Sequence, residues 1–194
     1  NRNLRKVLML LWLKKQKLLY SKDVLDIVQF GSSVVEEKTP NDIDVAVIFE
    51  KIPLKEQLIQ AQEIKIQLQK LSDLPIHIKS FDLYSFFDKS NFAKENVLFY
   101  GKSIIYLNNF SKRFGFESKI QISYSLKSLK KKDKIKFNYM LNGKKGEYGL
   151  LRKHGGKLLN PGLIEIFPEH EFIFINSIKK ITDDFKVRRV LISL

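Results

Sequence analysis

The sequence predicts an α/β fold, with an N-terminal α/β domain over residues 1–107 and a smaller, basic α/β unit over residues 119–194. Short β-branched runs alternate with a long stretch of apolar residues at helical spacing, which is the pattern of packed sheet and helix layers. A hydrophobic fraction of 44% over 194 residues is enough to fill a core. Positive charge collects in the C-terminal part, where residues 111–194 hold 19 basic and 8 acidic side chains against 16 and 13 in residues 1–110.

The elements follow in order. Leu4, Val7, Leu8, Leu11 and Leu18 recur at helical spacing and predict an amphipathic first helix ending near Tyr20. Ile27-Val28-Gln29-Phe30 is short, β-branched and halted by Gly31, so it reads as a buried strand that presents Gly31-Ser32-Ser33 at its end. Ile43 to Phe49 is almost continuously apolar except for Asp44 and reads as a central strand. Leu54, Leu58, Ala61, Ile64, Leu68 and Leu71 step by three and four, a helix closed by Asp73 and Pro75. A third strand is expected at Pro75 to Lys79, and partly helical structure from Phe81 to Leu107 with Gly101 as a stop.

Residues 108–118 turn polar, lose periodicity and read as a linker. Beyond them, Lys127 to Lys136 carries six lysines among ten residues ahead of Phe137, Tyr139, Met140 and Leu141, which predicts a basic helix with an apolar face ending at Asn142-Gly143. Leu163 to Phe167 and Val187 to Ile192 read as strands.

Charge and composition narrow the chemistry. The formal net charge of +14 attracts polyanions such as nucleic acid, and an anionic membrane surface would feel the same field. The absence of cysteine excludes disulfides and thiolate zinc sites, so a metal would rest on carboxylates and would be a hard ion such as magnesium. The apolar run Val7 to Leu13 is too short to span a bilayer and runs into Lys14, Lys15 and Lys17. The expectation is a cytoplasmic protein with no membrane partner.

Asp42 and Asp44 carry the strongest chemical signal. A charge in a buried strand is costly unless a partner or metal takes it, and side chains two apart on a strand share a face. The two carboxylates can therefore hold one divalent cation together. Gly31 and Ser32, with Ser33, add backbone N–H groups and hydroxyls suited to phosphate oxygens at the end of the preceding strand.

Phe30-Gly31-Ser32 followed by Asp42-Ile43-Asp44-Val45 resembles the signature of the DNA polymerase beta superfamily of nucleotidyltransferases, and Asn96-Val97-Leu98-Phe99-Tyr100-Gly101-Lys102 is similar to the stretch that closes the minimal nucleotidyltransferase domain. The resemblance covers about residues 5–107. It implies a mixed sheet with flanking helices, and attack of an acceptor hydroxyl on the α-phosphate of a nucleoside triphosphate with release of pyrophosphate. It also implies that Asp42 and Asp44 ligate Mg2+ or Mn2+, and that Gly31 and Ser32 approach the triphosphate.

The chain departs from the family at Ser33 and Glu36, where many minimal members have Arg and Gly, and at His77. There the family's third carboxylate is replaced by an imidazole, a poorer magnesium ligand that can take a proton from the acceptor hydroxyl. Lys130, Lys131, Lys132 and Lys134 are the expected nucleic-acid contacts, with RNA the favoured polyanionic acceptor. Two other readings compete. One is a nucleotidyltransferase-fold module that binds nucleic acid or a protein partner without turnover; the other is the modifying half of a toxin–antitoxin pair acting on protein hydroxyls.

Overall fold

A computed structural model describes residues 18–91 and 93–194. Nearly all of the first helix expected from Leu4 falls on residues 1–17, outside the described residues. The chain divides into two compact units, residues 1–115 and 116–194.

The first unit is a mixed four-stranded sheet in the order β3-β2-β1-β4. Its strands are β1 (Val24–Phe30), β2 (Ile43–Phe49), β3 (Ile76–Asp82) and the two-residue β4 (Lys102–Ser103). β1 runs antiparallel to both of its neighbours, while β2 and β3 are parallel. The parallel pair requires a crossover, supplied by α1 (Leu54–Gln69). Further helices are α2 (Leu83–Phe87) and α3 (Ala93–Tyr100), the latter stopping before Gly101 as expected.

Both faces of this sheet are covered, which explains the near-continuous apolar run in β2. Ile43, Val45, Val47 and Phe49 pack with Ala61, Ile64 and Leu68 of α1. Ala46 and Ile48 pack on the opposite face with Phe86, Ala93, Val97 and Phe110. Phe86 meets Phe81, Phe87 and Phe110 edge-on, with ring centroids 5.1–5.9 Å apart. On α1 the buried stripe is Gln57, Ala61, Ile64 and Leu68, whereas Leu54 and Leu58 are exposed. Gln57 takes the inward place because its amide donates to the Ile52 carbonyl at 3.0 Å.

The expected linker at 108–118 is a correction. Phe110 is buried among the aromatic rings, and Phe110–Phe114 forms a 3-10 helix of the first unit. β5 (Phe116–Tyr124) starts immediately after Gly115. Burial of Phe110 fixes the segment, with the exposed Phe114 ring packed edge-on against Phe110 and Phe87 at 5.2 and 5.9 Å.

The second unit is an antiparallel sheet in the order β6-β7-β5-β8, adding β6 (Lys157–Asn160), β7 (Leu163–Ile166) and β8 (Phe185–Ser193). Its helices are α4 (Lys131–Asn142), α5 (Leu150–Lys153) and α6 (Glu171–Lys179). Ile120, Ile122, Ile164 and Ile166 are buried on one sheet face, and Phe137, Leu141, Phe174 and Ile178 supply the helix side of the core. The basic helix begins at Lys131 rather than Lys127, because Leu126 to Leu129 closes a turn of its own. Gly143 ends it with φ 91°, where a Cβ would run into the Glu147 carbonyl. Among the described residues no helix is long and apolar enough to cross a membrane.

One buried acid makes the stability of the first unit depend on pH. Asp26 is 1% exposed; its Oδ1 accepts from Ser103 Oγ at 2.6 Å and from the Ile27 amide at 2.8 Å, while Oδ2 is buried without a hydrogen-bond partner. Burial pushes its carboxyl from 3.8 up to about 6, against the opposing hydrogen bonds and Arg113. The folded state therefore binds more protons than the unfolded one inside that window. Stability contributed by the neutral acid is full below pH 3.8 and is lost as pH rises through about 6. The size is ~3 kcal/mol at most. Asp26→Asn, which imitates the neutral acid, is expected to flatten that part of the profile and to exceed wild type in denaturant midpoint at pH 7.5; equal slopes for the two proteins between pH 4 and 6 would refute the assignment.

Candidate active site

The end of β1 and the start of β2 meet where Phe30 pairs with Asp44. Gly31 turns the chain into the one-turn 3-10 helix Gly31–Val34 with φ +75°, a conformation that favours glycine. A Cβ on Gly31 would lie 2.5 Å from Asp44 Oδ2. The missing side chain is therefore what lets the turn close on the carboxylate. Gly31→Ala is expected to cost ~1–3 kcal/mol of stability through backbone strain and to displace Asp44; an unchanged denaturant midpoint would remove this role.

Asp42 stands just before β2 and Asp44 within it, both half-buried on either side of fully buried Ile43. That alternation puts the two carboxylates on one side of the strand, as their spacing predicts. Burial first, and then the Asp42 charge, hold the Asp44 carboxyl above its ordinary value, while His77 and Lys79 pull it down.

His77 enters from β3, where the parallel register sets it beside Asp44. Its Nδ1 lies 3.3 Å from Asp42 Oδ2. Lys79, two residues on, shares the strand face of His77 and is not among the residues the sequence reading picks out, although its place in the alternation of β3 is the signal that could have found it. It also lines an open cleft of about 640 Å³ that continues past Ser80, Asp82 and Ser85.

The other expected positions divide. Ser32 is half-buried in the 3-10 turn. Ser33 is 2% exposed, and its hydroxyl donates to the Phe30 carbonyl at 3.1 Å and accepts from Gln29 Nε2 at 3.0 Å. Its side chain braces the turn from inside. The chain after Gly31 makes only the single 3-10 turn Gly31–Val34 before Val35 turns extended, so no α-helix N-terminus stands there to face a phosphate. Asp82, five residues after His77 at the end of β3, caps α2 by accepting from the Ser85 amide at 2.7 Å. It pairs with Phe49, five residues along β2 from Asp44, roughly 16 Å away by strand rise.

A divalent cation fits this donor set. Two half-buried carboxylates of like charge share a strand face, and one of them is held above its ordinary value partly by the other. A hard cation relieves that repulsion with the oxygen ligands it prefers. In the second unit, Lys130, Lys131 and Lys132 are exposed at the N-terminal end of α4 and Lys134 is half-buried. No known protein family matches this sequence, and no characterised protein matches it.

Proposed function

We propose that the chain is a metal-dependent nucleotidyltransferase of the polymerase beta type. It would transfer a nucleoside monophosphate from a nucleoside triphosphate to an acceptor hydroxyl. The observation that carries the reading is the closure of the Gly31 turn on Asp44, with Asp42 alongside and His77 in register across the parallel pair. In the reaction the acceptor oxygen forms a bond to the α-phosphorus, the bond to the β-phosphate oxygen breaks, and pyrophosphate leaves.

Asp42 and Asp44 would hold Mg2+ or Mn2+, which when bound supplies charge neutralisation for the triphosphate and lowers the pKa of the acceptor hydroxyl. The chain's own groups do the rest. With no Cβ on Gly31 the turn seats directly against the Asp44 carboxylate, so the Gly31-Ser32 backbone would lie beside the phosphate oxygens of a triphosphate held there. The Lys79 ammonium, close enough to pull down the Asp44 carboxyl, offers positive charge to the same phosphates. With Nδ1 of His77 held by Asp42, Nε2 is the ring nitrogen left to receive the acceptor's proton.

A second reading has one specific observation in its favour. The position opposite Asp44 is an imidazole and Asp82 is committed to capping α2, so the fold could bind triphosphate without turnover. The two readings separate when the protein is incubated with each labelled triphosphate, total RNA and total protein, under magnesium and under manganese. Transfer of label to either acceptor is the expected result. Intact triphosphate binding with no transfer under either metal would leave the binding module.

A further inference from the structure

The second unit carries 17 Lys and Arg side chains against 8 Asp and Glu. Its own helices pack on one face of its sheet. Ile120, Ile122, Ile164 and Ile166 alternate inward toward the core, where the Phe137 ring of α4 meets Tyr124, and Glu171 of α6 meets Arg189 at 2.9 Å. The residues between them point the other way, onto a face where Lys119 is buried with its ammonium 3.5 Å from the Phe167 ring centroid, Gln121 and Glu165 are half-buried, and Ser123, Lys157, Lys186 and Arg188 are exposed.

The strand register arranges that outer face. Lys157 pairs with Glu165, Glu165 with Gln121, and Gln121 with Arg188, a row across all four strands. Glu165, the row's only acid, accepts from the Gln121 amide at 3.2 Å. In the next row Leu163 pairs with Ser123 and Ser123 with Lys186. Lys157, Arg188, Lys186 and Ser123 are all exposed. By strand spacing, Lys157 and Arg188 stand roughly 14 Å apart across the sheet, and Arg188 and Lys186 about 7 Å apart along β8.

The lysine run joins this face at one end. β5 ends at Tyr124 opposite Phe185, and the Ser125 amide donates to the Asp184 carbonyl at 3.0 Å. The segment bearing Lys127, Lys130, Lys131 and Lys132 therefore leaves the sheet where Lys186 enters it.

From this placement we infer that the outer sheet face, through Lys157, Lys186 and Arg188 together with the Lys127–Lys132 segment, binds the phosphodiester backbone of single-stranded nucleic acid. Cations spread over a broad sheet follow a flexible polyanion, whereas duplex reading requires a helix or ribbon inserted into a groove, and this face projects neither. The exposed cations of the two rows offer charge contacts without a base-reading pocket, so binding is insensitive to sequence. The inference does not rest on transfer chemistry, and its test omits triphosphate.

The test titrates the full chain into a labelled oligouridylate of roughly twenty nucleotides, the matching oligothymidylate, a duplex, and phosphatidylserine-containing vesicles, over a range of salt. Tighter binding of the single strands is expected. The combined variant Lys157→Gln, Lys186→Gln, Arg188→Gln should weaken that binding about tenfold or more at low salt and reduce the log–log salt slope by about 2, the loss of three counterion-releasing contacts. A control removing equal charge at Lys136, Lys144 and Lys145 should change the slope less. The inference is overturned by an unchanged slope, by an equal effect of the control, by preference for duplex, or by binding to vesicles without binding to either oligonucleotide. All three substituted side chains are exposed, and matched melting curves verify that the variant is folded.

Discussion

Asp42→Asn combined with Asp44→Asn is expected to abolish the metal-dependent part of triphosphate binding, a loss of at least about 100-fold or ~3 kcal/mol. The amides keep the shape of the carboxylates and remove both negative charges that a cation would balance. The same change should not unfold the protein. Burial and the Asp42 charge already disfavour ionisation of Asp44, so neutralising the pair relieves a repulsion that the folded state carries. Stability in chelator should therefore be equal to or above that of wild type. Titration calorimetry with a non-hydrolysable triphosphate, with and without magnesium, makes the measurement. Unchanged affinity in a folded double variant would mean that these carboxylates do not hold the metal.

Where the hydrophobic pattern is constrained from both sides, the sequence is legible. β2 is apolar on both faces because helices cover both, and the single interruption at Asp44 stands out against that run as a residue kept for something other than packing. The spacing of Asp42 and Asp44 places them on one side of the strand, and the parallel register sets His77 beside Asp44. Legibility fails where tertiary partners decide the outcome. Nothing local distinguishes Gln57 from the exposed glutamines of α1; its inward place depends on the Ile52 carbonyl. The polar stretch before Gly115 has the broken periodicity of a linker, yet Phe110 finds a core assembled from residues far away in sequence. β6 and the outer face of the second sheet are equally hidden, since cross-strand rows join residues remote in the chain.

His77→Asp is expected to raise magnesium-dependent transfer by about tenfold or more, because a third hard oxygen replaces a nitrogen that serves magnesium poorly. Wild type, whose imidazole serves as the base and leaves the metal to two carboxylates, should depend more on manganese, which binds a given site more tightly than magnesium. The substitution removes the 3.3 Å contact between Nδ1 and Asp42 and sets a third negative charge beside two others. Metal-free protein should therefore melt earlier than wild type and recover when magnesium is added, a linkage that an inert surface position would not show. His77→Ala separates the functions of the ring, and should depress transfer more than triphosphate binding if Nε2 takes the acceptor's proton. Since His77 is exposed, none of these changes threatens the core. The decisive comparison is the magnesium-to-manganese ratio of transfer rates in the three proteins, alongside their melting midpoints with and without metal. A ratio that does not rise in His77→Asp, in a protein that still binds triphosphate, would show that this position is not the third corner of the metal site.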